Sequence, residues 1–264
     1  MKLFARKECW VPTGRGLLVL AVLLLGAAAL ATGFIYGFLS PSNPVPAEVL
    51  VVEYWLPDYA LQGAVAEFKR GHYKYVMTSG TEFPRGWGSS SLYKTGADLA
   101  AATLAAMGLE TNCIVVLSPS QAVRDRTYSR AVAIAEWLEA TNPMARAVNL
   151  YSLGPHARRS RLLYQKALGK KVKVGVFAHP PDSYDPNRWW SASNGFRDVT
   201  GEALAYFYAR TLFHPWRWNR RTRRASVGPA SSRLLAFTQL CGRPRNGYSE
   251  RLSGRARSPV GFAG

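Results

Sequence analysis

Acidic side chains are scarce in this chain: 16 Asp and Glu stand against 34 Lys and Arg, a formal net charge of +18 over 264 residues. Cysteine is scarcer still. Cys9, Cys113 and Cys241 lie far apart, with no C-x-x-C pair and no Cys/His spacing of the kind a zinc site uses. A disulfide framework and a structural zinc are therefore excluded, and no metal site is expected. Cys113, inside Cys113-Ile-Val-Val-Leu117, reads as a small buried hydrophobe. The H-E-x-x-H, G-x-S-x-G, Walker and full G-x-G-x-x-G patterns are all missing, so zinc peptidase, serine hydrolase and kinase readings lack support. No cofactor can be named from the residues. A chain of this length still buries a sizeable core without disulfides.

The basic excess is unevenly spread. Residues 215–264 hold eleven Arg and a single acidic residue, Glu250, with scattered Gly, Pro and Ser and no periodicity, so 214–264 is expected to be a basic, disordered tail. No helix-turn-helix, RNP-type or zinc-finger pattern accompanies it, and no specific nucleic-acid partner is expected. Anionic lipid head groups suit the charge better. Trp216 to Arg224 reads as an interfacial stretch, whereas Tyr206 to Phe213 reads as a helix packed into the core.

What the chain does possess is a long apolar run. Gly16 to Leu39 is twenty-four residues without a charge, enough to cross a bilayer as a helix. Lys2, Arg6, Lys7 and Arg15 precede it, and the next basic residue is Lys69. The positive-inside rule then predicts a signal anchor at 16–39, residues 1–15 in the cytoplasm and the rest on the outer, periplasmic side of the inner or plasma membrane. Residues 40–47, Ser40-Pro-Ser-Asn-Pro-Val-Pro46-Ala, read as a proline-rich spacer that holds the domain off the bilayer.

From residue 48 to 213 apolar strand-like runs alternate with amphipathic helical runs. Strands are predicted at 49–52, 75–78, 114–117, 147–153 and 172–177. Helices are predicted after Asp58 and Asp125 as capping residues, over 92–107, from His156 to Leu168, and near 199–213. This is the pattern of an α/β, Rossmann-like doubly wound fold with a mainly parallel five-stranded sheet, preceded by one transmembrane helix. In such folds the ligand crevice lies outside the strands' carboxyl ends. Here that means the loops 53–58, 79–91, 118–126 and 154–159.

The fourth strand opens into Gly154-Pro-His-Ala-Arg-Arg-Ser-Arg161, a sharp turn into a basic helix N-terminus. His156, Arg159 and Ser160 are three and four residues apart and share a face. Free backbone N–H groups and the positive end of the helix dipole add to an anion site. His156 is the candidate acid or base. Arg159, with Arg158 beside it, is the candidate fork for phosphate or carboxylate oxygens. Arg126 and Thr127 open another helix and add donors. Ser79, Gly80 and Thr81 form a small-residue turn that admits a ligand to the backbone. Glu53 or Asp125 supplies the carboxylate, Asp125 being foremost a helix cap.

These loops resemble those of the SanA/YdcF-like family of bacterial envelope-associated proteins, over roughly residues 48–213. Thr78-Ser79-Gly80 stands where the family has Ser-Gly-Gly, Asp125-Arg-Thr127 resembles its Asn-x-Thr-like helix start, and His156-Ala-Arg-Arg159-Ser160 its His-x-x-Arg-small motif. Glu202 resembles an acidic residue of its last helix. The departures are a missing glycine-rich turn after the first strand, Thr81 for the second Gly, and Ser129-Arg130 for a Glu-Asn pair. An acidic residue expected near the start of the Ala-rich helix is also missing. The resemblance implies envelope biology and an anionic, phosphorylated, nucleotide-like or lipid-linked ligand, with an enzyme of envelope or peptidoglycan precursor metabolism as one expectation. A non-catalytic envelope binding or scaffold protein is the alternative.

Overall fold

The computed structural model describes residues 13–80, 93–117 and 125–215. Thr81, the 118–124 part of the third crevice loop, and Trp216 to Arg224 with the rest of the basic tail lie outside the described residues. In chain order the elements are α1 (Gly14–Leu39), β1 (Val49–Glu53), α2 (Asp58–Arg70), β2 (Tyr75–Ser79), α3 (Gly96–Ala106), β3 (Ile114–Leu117), α4 (Arg126–Thr141), β4 (Ala147–Leu153), α5 (His156–Leu168), β5 (Lys173–His179) and α6 (Ser193–Thr211). A short 3-10 segment, Pro186–Ser191, leads into α6.

The five strands form one parallel sheet in the order β3-β2-β1-β4-β5. Strand direction and order follow from the connections: each strand is followed by a helix that must cross back over a face, and the crossing switches face after β3. The alternation along β1 shows both layers at once. Val49 and Val51 join Met77, Val148, Leu150 and Val176 against Ala131, Ile134 and Trp137 of α4 and Ala157 and Tyr164 of α5. Leu50 and Val52 join Val76 and Tyr151 against Leu61, Ala64 and Val65 of α2 and Leu104 of α3. A strand buried on both faces reads as an unbroken apolar run, which is what Val49 to Val52 is. The order reverses between β1 and β4, where doubly wound sheets open their crevice.

Several local expectations are corrected. Asp58 is the first residue of α2, and the preceding position is Pro57 with no side-chain cap. Asp125 precedes α4 in a left-handed conformation (φ 51°) and its carboxylate makes no capping bond. The Ala-rich helix is capped instead by Thr95, which closes a capping box with Asp98 at the start of α3.

Residues 40–47 are not a free spacer. Asn43 forms an antiparallel bridge with Val176, its N–H donating to the Val176 carbonyl at 2.8 Å and its own carbonyl accepting in return at 3.2 Å. The buried Asn149 side chain then grips Val45: Nδ2 donates to its carbonyl at 2.8 Å and Oδ1 accepts its N–H at 2.9 Å. Gly175 beside it must be glycine, since a Cβ there would stand 2.0 Å from Asn149 Oδ1. The last two turns of α1 are docked as well. Leu39 is fully buried with Tyr184, Trp189 and Val199, and Trp189 Nε1 donates to the Thr32 carbonyl at 3.1 Å. As a whole α1 is long and apolar enough to cross a membrane, and its most apolar stretch is uncovered by protein.

Asn149→Ala removes both bonds to Val45 and a third to the Tyr73 hydroxyl. Leaving buried polar groups unpaired costs about 1–3 kcal/mol each, so we expect a destabilisation of that order in denaturant unfolding. Residues 40–47 should also become sensitive to limited proteolysis; an unchanged digestion pattern would show that the segment is held by something else.

Candidate functional site

The reversal point between β1 and β4 is occupied by a carboxylate. Glu53 ends β1 and is 2% exposed. It accepts from Ser152 Oγ of β4 at 2.5 Å and from Ser160 Oγ of α5 at 2.9 Å. His156, the first residue of α5, lies above it with Nε2 3.5 Å from Glu53 Oε1. On the other side of the ring Nδ1 is 2.8 Å from Glu202 Oε1 on α6. Arg159 completes the chain, Nε donating to Glu202 Oε2 at 2.7 Å and Nη2 to Oε1 at 2.9 Å. Nη2 is also 2.9 Å from His156 Nδ1. That nitrogen carries a proton when it donates to Glu202, so Nη2 serves the carboxylate.

Electrostatics follow from this stacking. Burial alone would raise the Glu53 pKa, but the His156 charge and hydrogen-bonding capacity, the Arg130 charge and the Ser152 hydroxyl outweigh it and hold Glu53 at about 2. Burial is likewise overcome at Glu202, where the Arg159 and His156 bonds and charges hold the carboxyl at about 2. For His156 burial favours the neutral ring, yet the Glu53 charge and the Glu202 bond exceed it and raise its pKa above the ordinary histidine value. The two carboxylates thus favour the protonated form of the imidazole between them.

Beside this stack opens a cavity of about 470 Å³, lined among others by Trp55, Asp125, Arg126, Thr127, Arg130, His156 and Arg159, with Ala205, Tyr208 and Ala209 of α6 as its apolar wall. Trp55 packs edge-on against His156, ring centres 4.8 Å apart. Arg130 is the member that sequence reasoning missed. It is 6% exposed; Nε donates to the Arg126 carbonyl at 3.2 Å and Nη2 to Thr127 Oγ1 at 3.1 Å. Its Nη1 is buried without a hydrogen-bond partner among the described residues. The guanidinium rests 5.1 Å from the centre of the Tyr54 ring. A charged fork inside an apolar helix run, one residue before Ala131 and four after Arg126, was the signal available in the sequence.

The predicted residues divide. His156, Arg159, Arg126, Thr127 and Asp125 meet at the cavity, and Glu53 lies beneath it. Ser160 is fully buried on Glu53 and does not face the cavity. Arg158 turns away altogether: it stacks over the Phe38 ring at 4.0 Å and donates to the Phe38 carbonyl, so it ties α5 to α1. Arg159 is no open fork either, because its Nε and Nη2 edge is taken by Glu202. Ser79 and Gly80 are buried, and neither lines the cavity. A Cβ on Gly80 would lie 2.6 Å from the Ala97 nitrogen and 3.0 Å from Tyr54, and one on Gly96 would lie 2.1 Å from the Tyr54 ring. These glycines make room for Tyr54, and Tyr54 carries Arg130.

Among the described residues no group of three His, Cys, Asp or Glu side chains is arranged to hold a metal ion. No family model matches the chain, and no curated protein matches it.

The sign of the pH dependence follows from these shifts. Glu53 and Glu202, held at about 2, contribute stability that is complete above the ordinary carboxyl value of about 4.3 and is lost as pH falls through 2. His156 is shifted upward, so its contribution is complete below about 6.5 and lost as pH rises through its raised value. Glu53→Gln leaves the cation half-paired and should cost about 3–5 kcal/mol. NMR titration of the His156 ring should then move to lower pH; an unmoved titration would contradict the coupling.

Proposed function

We propose that the α/β domain binds an anionic, phosphorylated ligand in the cavity beside His156, and that α1 holds this domain at a membrane. The observation that carries the reading is Arg130 Nη1: a buried, charged donor that lacks a partner among the described residues, on a side chain that lines the cavity. Burying such a group is costly unless an acceptor arrives. Charge balance points the same way. Glu53 and Glu202 offset His156 and Arg159, which leaves Arg126 and Arg130 against the single carboxylate of Asp125. The sixteen-residue α4 begins on the same side, with the positive end of its dipole at Arg126 and Thr127.

In this reading Arg130 and Arg126 take the ligand's oxygens, Thr127 adds a hydroxyl, and Trp55 covers the His156 ring. His156 lines the cavity and is the proton donor of this reading: Glu202 fixes Nδ1, and the buried Nε2, 3.5 Å from Glu53 Oε1, has no hydrogen-bond acceptor among the described residues. A bound phosphate oxygen would supply one. Proton transfer to a leaving oxygen is the chemistry this arrangement suits. Arg159 and Glu202 act through His156 as positioning residues. The resemblance to SanA/YdcF-like proteins adds an envelope setting and nucleotide-like or lipid-linked phosphates to the candidates. The cytoplasmic N-terminus and outward-facing domain rest on the positive-inside argument.

Thermal unfolding of the purified chain should rise with one or more of a set of nucleotides, sugar phosphates and lipid-linked phosphates. Arg130→Ala should weaken that ligand by about 10- to 100-fold, the worth of a charged hydrogen bond. Equal stabilisation of wild type and variant would rule out the cavity as the site. If the ligand is turned over, His156→Asn should abolish turnover while binding persists; binding with no turnover in wild type favours the scaffold alternative.

A further inference from the structure

Helix α6 was expected to pack into the core from Tyr206 to Phe213, and only part of it does. Val199, Ala203 and Tyr206 face α1, with Tyr206 edge-on to Phe38 at 5.5 Å. Ala205 and Ala209 face the cavity. Between these two faces runs a third, on which Phe196, Leu204, Phe207 and Leu212 are 55%, 73%, 63% and 63% exposed. Tyr208 belongs to this exposed stripe and to the cavity rim alike. At the start of α6, Trp190 is exposed beside the buried Trp189. The charge carried within the stripe is Arg197, and Arg210 borders it on the α1 side. A contiguous apolar surface of this kind marks an interaction site.

We infer that this stripe of α6, with Trp190, lies on the membrane surface as an interfacial helix. The occupant is a lipid bilayer because the neighbouring face of α6 packs on the end of the membrane-length helix. α1 has 26 residues, about 39 Å at 1.5 Å each, some 9 Å more than a hydrocarbon core of about 30 Å. Counted from Gly16, the first residue after the charged Arg15, about twenty residues fill that core, so α1 leaves the hydrocarbon near Ile35. Thr32, the residue whose carbonyl Trp189 holds, lies one turn before that point. Phe38, six residues after Thr32, meets Tyr206. The α6 start is therefore at the level of the interface, where Trp and Phe side chains are favoured and cations meet acidic head groups. Docking by Leu39, Arg158 and Asn43 prevents the domain from tilting away. The cavity rim at Tyr208 then opens beside the head groups. This inference rests on the reading that α1 crosses a membrane.

A photoreactive residue is introduced singly at Leu204, Phe207, Leu24 of α1, and Lys173, which starts β5 at the opposite end of the sheet from the site. Each full-length variant is reconstituted in vesicles of phosphatidylethanolamine and radiolabelled phosphatidylglycerol and irradiated. We expect lipid adducts at Leu24, Leu204 and Phe207, severalfold above those at Lys173. Adducts at Leu24 without adducts at Leu204 and Phe207 overturn the interfacial helix while the anchor stands. A dimer-sized product at Leu204 or Phe207 overturns it in favour of a second copy of the chain. Absence of adducts at Leu24 overturns the anchor and this inference together. All four positions are exposed, so the substitutions leave the packed core intact.

Discussion

A carboxylate buried away from bulk solvent stands at the centre of this structure, and neighbouring groups are arranged to make that tolerable. Glu53 ends the central strand at the point where strand order reverses, so any group there faces the crevice from below and is sealed by the sheet behind it. Two hydroxyls from β4 and α5 and the His156 cation meet its charge. Burying His156 as a cation in turn requires a second acceptor, Glu202, and Glu202 requires Arg159. The result is an alternating chain of charges from β1 through α5 to α6. Breaking one link leaves a buried charge unpaired, which is why such stacks are rigid and costly to disturb.

That stack also determines where α6 lies, and α6 connects the site to α1. One side of α6 closes the cavity with alanines and Tyr208, another packs on the last turns of α1, and Glu202 fixes its rotation toward His156. The α1 end is tied a second time through Arg158, which leaves the neighbouring Arg159 to the site: two adjacent arginines on one helix turn serve opposite surfaces. A third tie, Asn149 to Val45, holds the connection between α1 and β1 against the sheet edge. The domain and its apolar helix therefore keep a defined orientation. An eight-residue proline-rich connection does not by itself announce that.

Legibility in the sequence followed physical range. The elements of the sheet were readable because β1 to β5 carry short apolar runs and the helices repeat apolar residues every three to four positions. The convergence of Glu53, His156 and Arg126 at one crevice was readable because strand ends and the helix starts that follow them share one edge of a parallel sheet. Ser160, Arg158, Ser79 and Gly80 have the right chemistry near that edge, yet their directions depend on contacts with residues 53, 38, 54 and 97. Arg130 was passed over for the converse reason. Its position inside an apolar helix run resembles a solvated arginine until Tyr54 and Thr127 are seen to hold it inward.

The sequence by itself determined the parts whose causes are local: a long uncharged helix, an alternating α/β order, a basic helix start after the fourth strand, and a cation excess weighted to the C-terminal end. Tertiary structure alone decided the strand order, the burial of Glu53, the pairing of Arg159 with Glu202 rather than with open solvent, and the exposed stripe on α6. Those features come from residues separated by dozens of positions. Periodicity shows that a helical face is apolar, but only the packing of α1 and the cavity on either side of α6 shows which apolar residues remain uncovered.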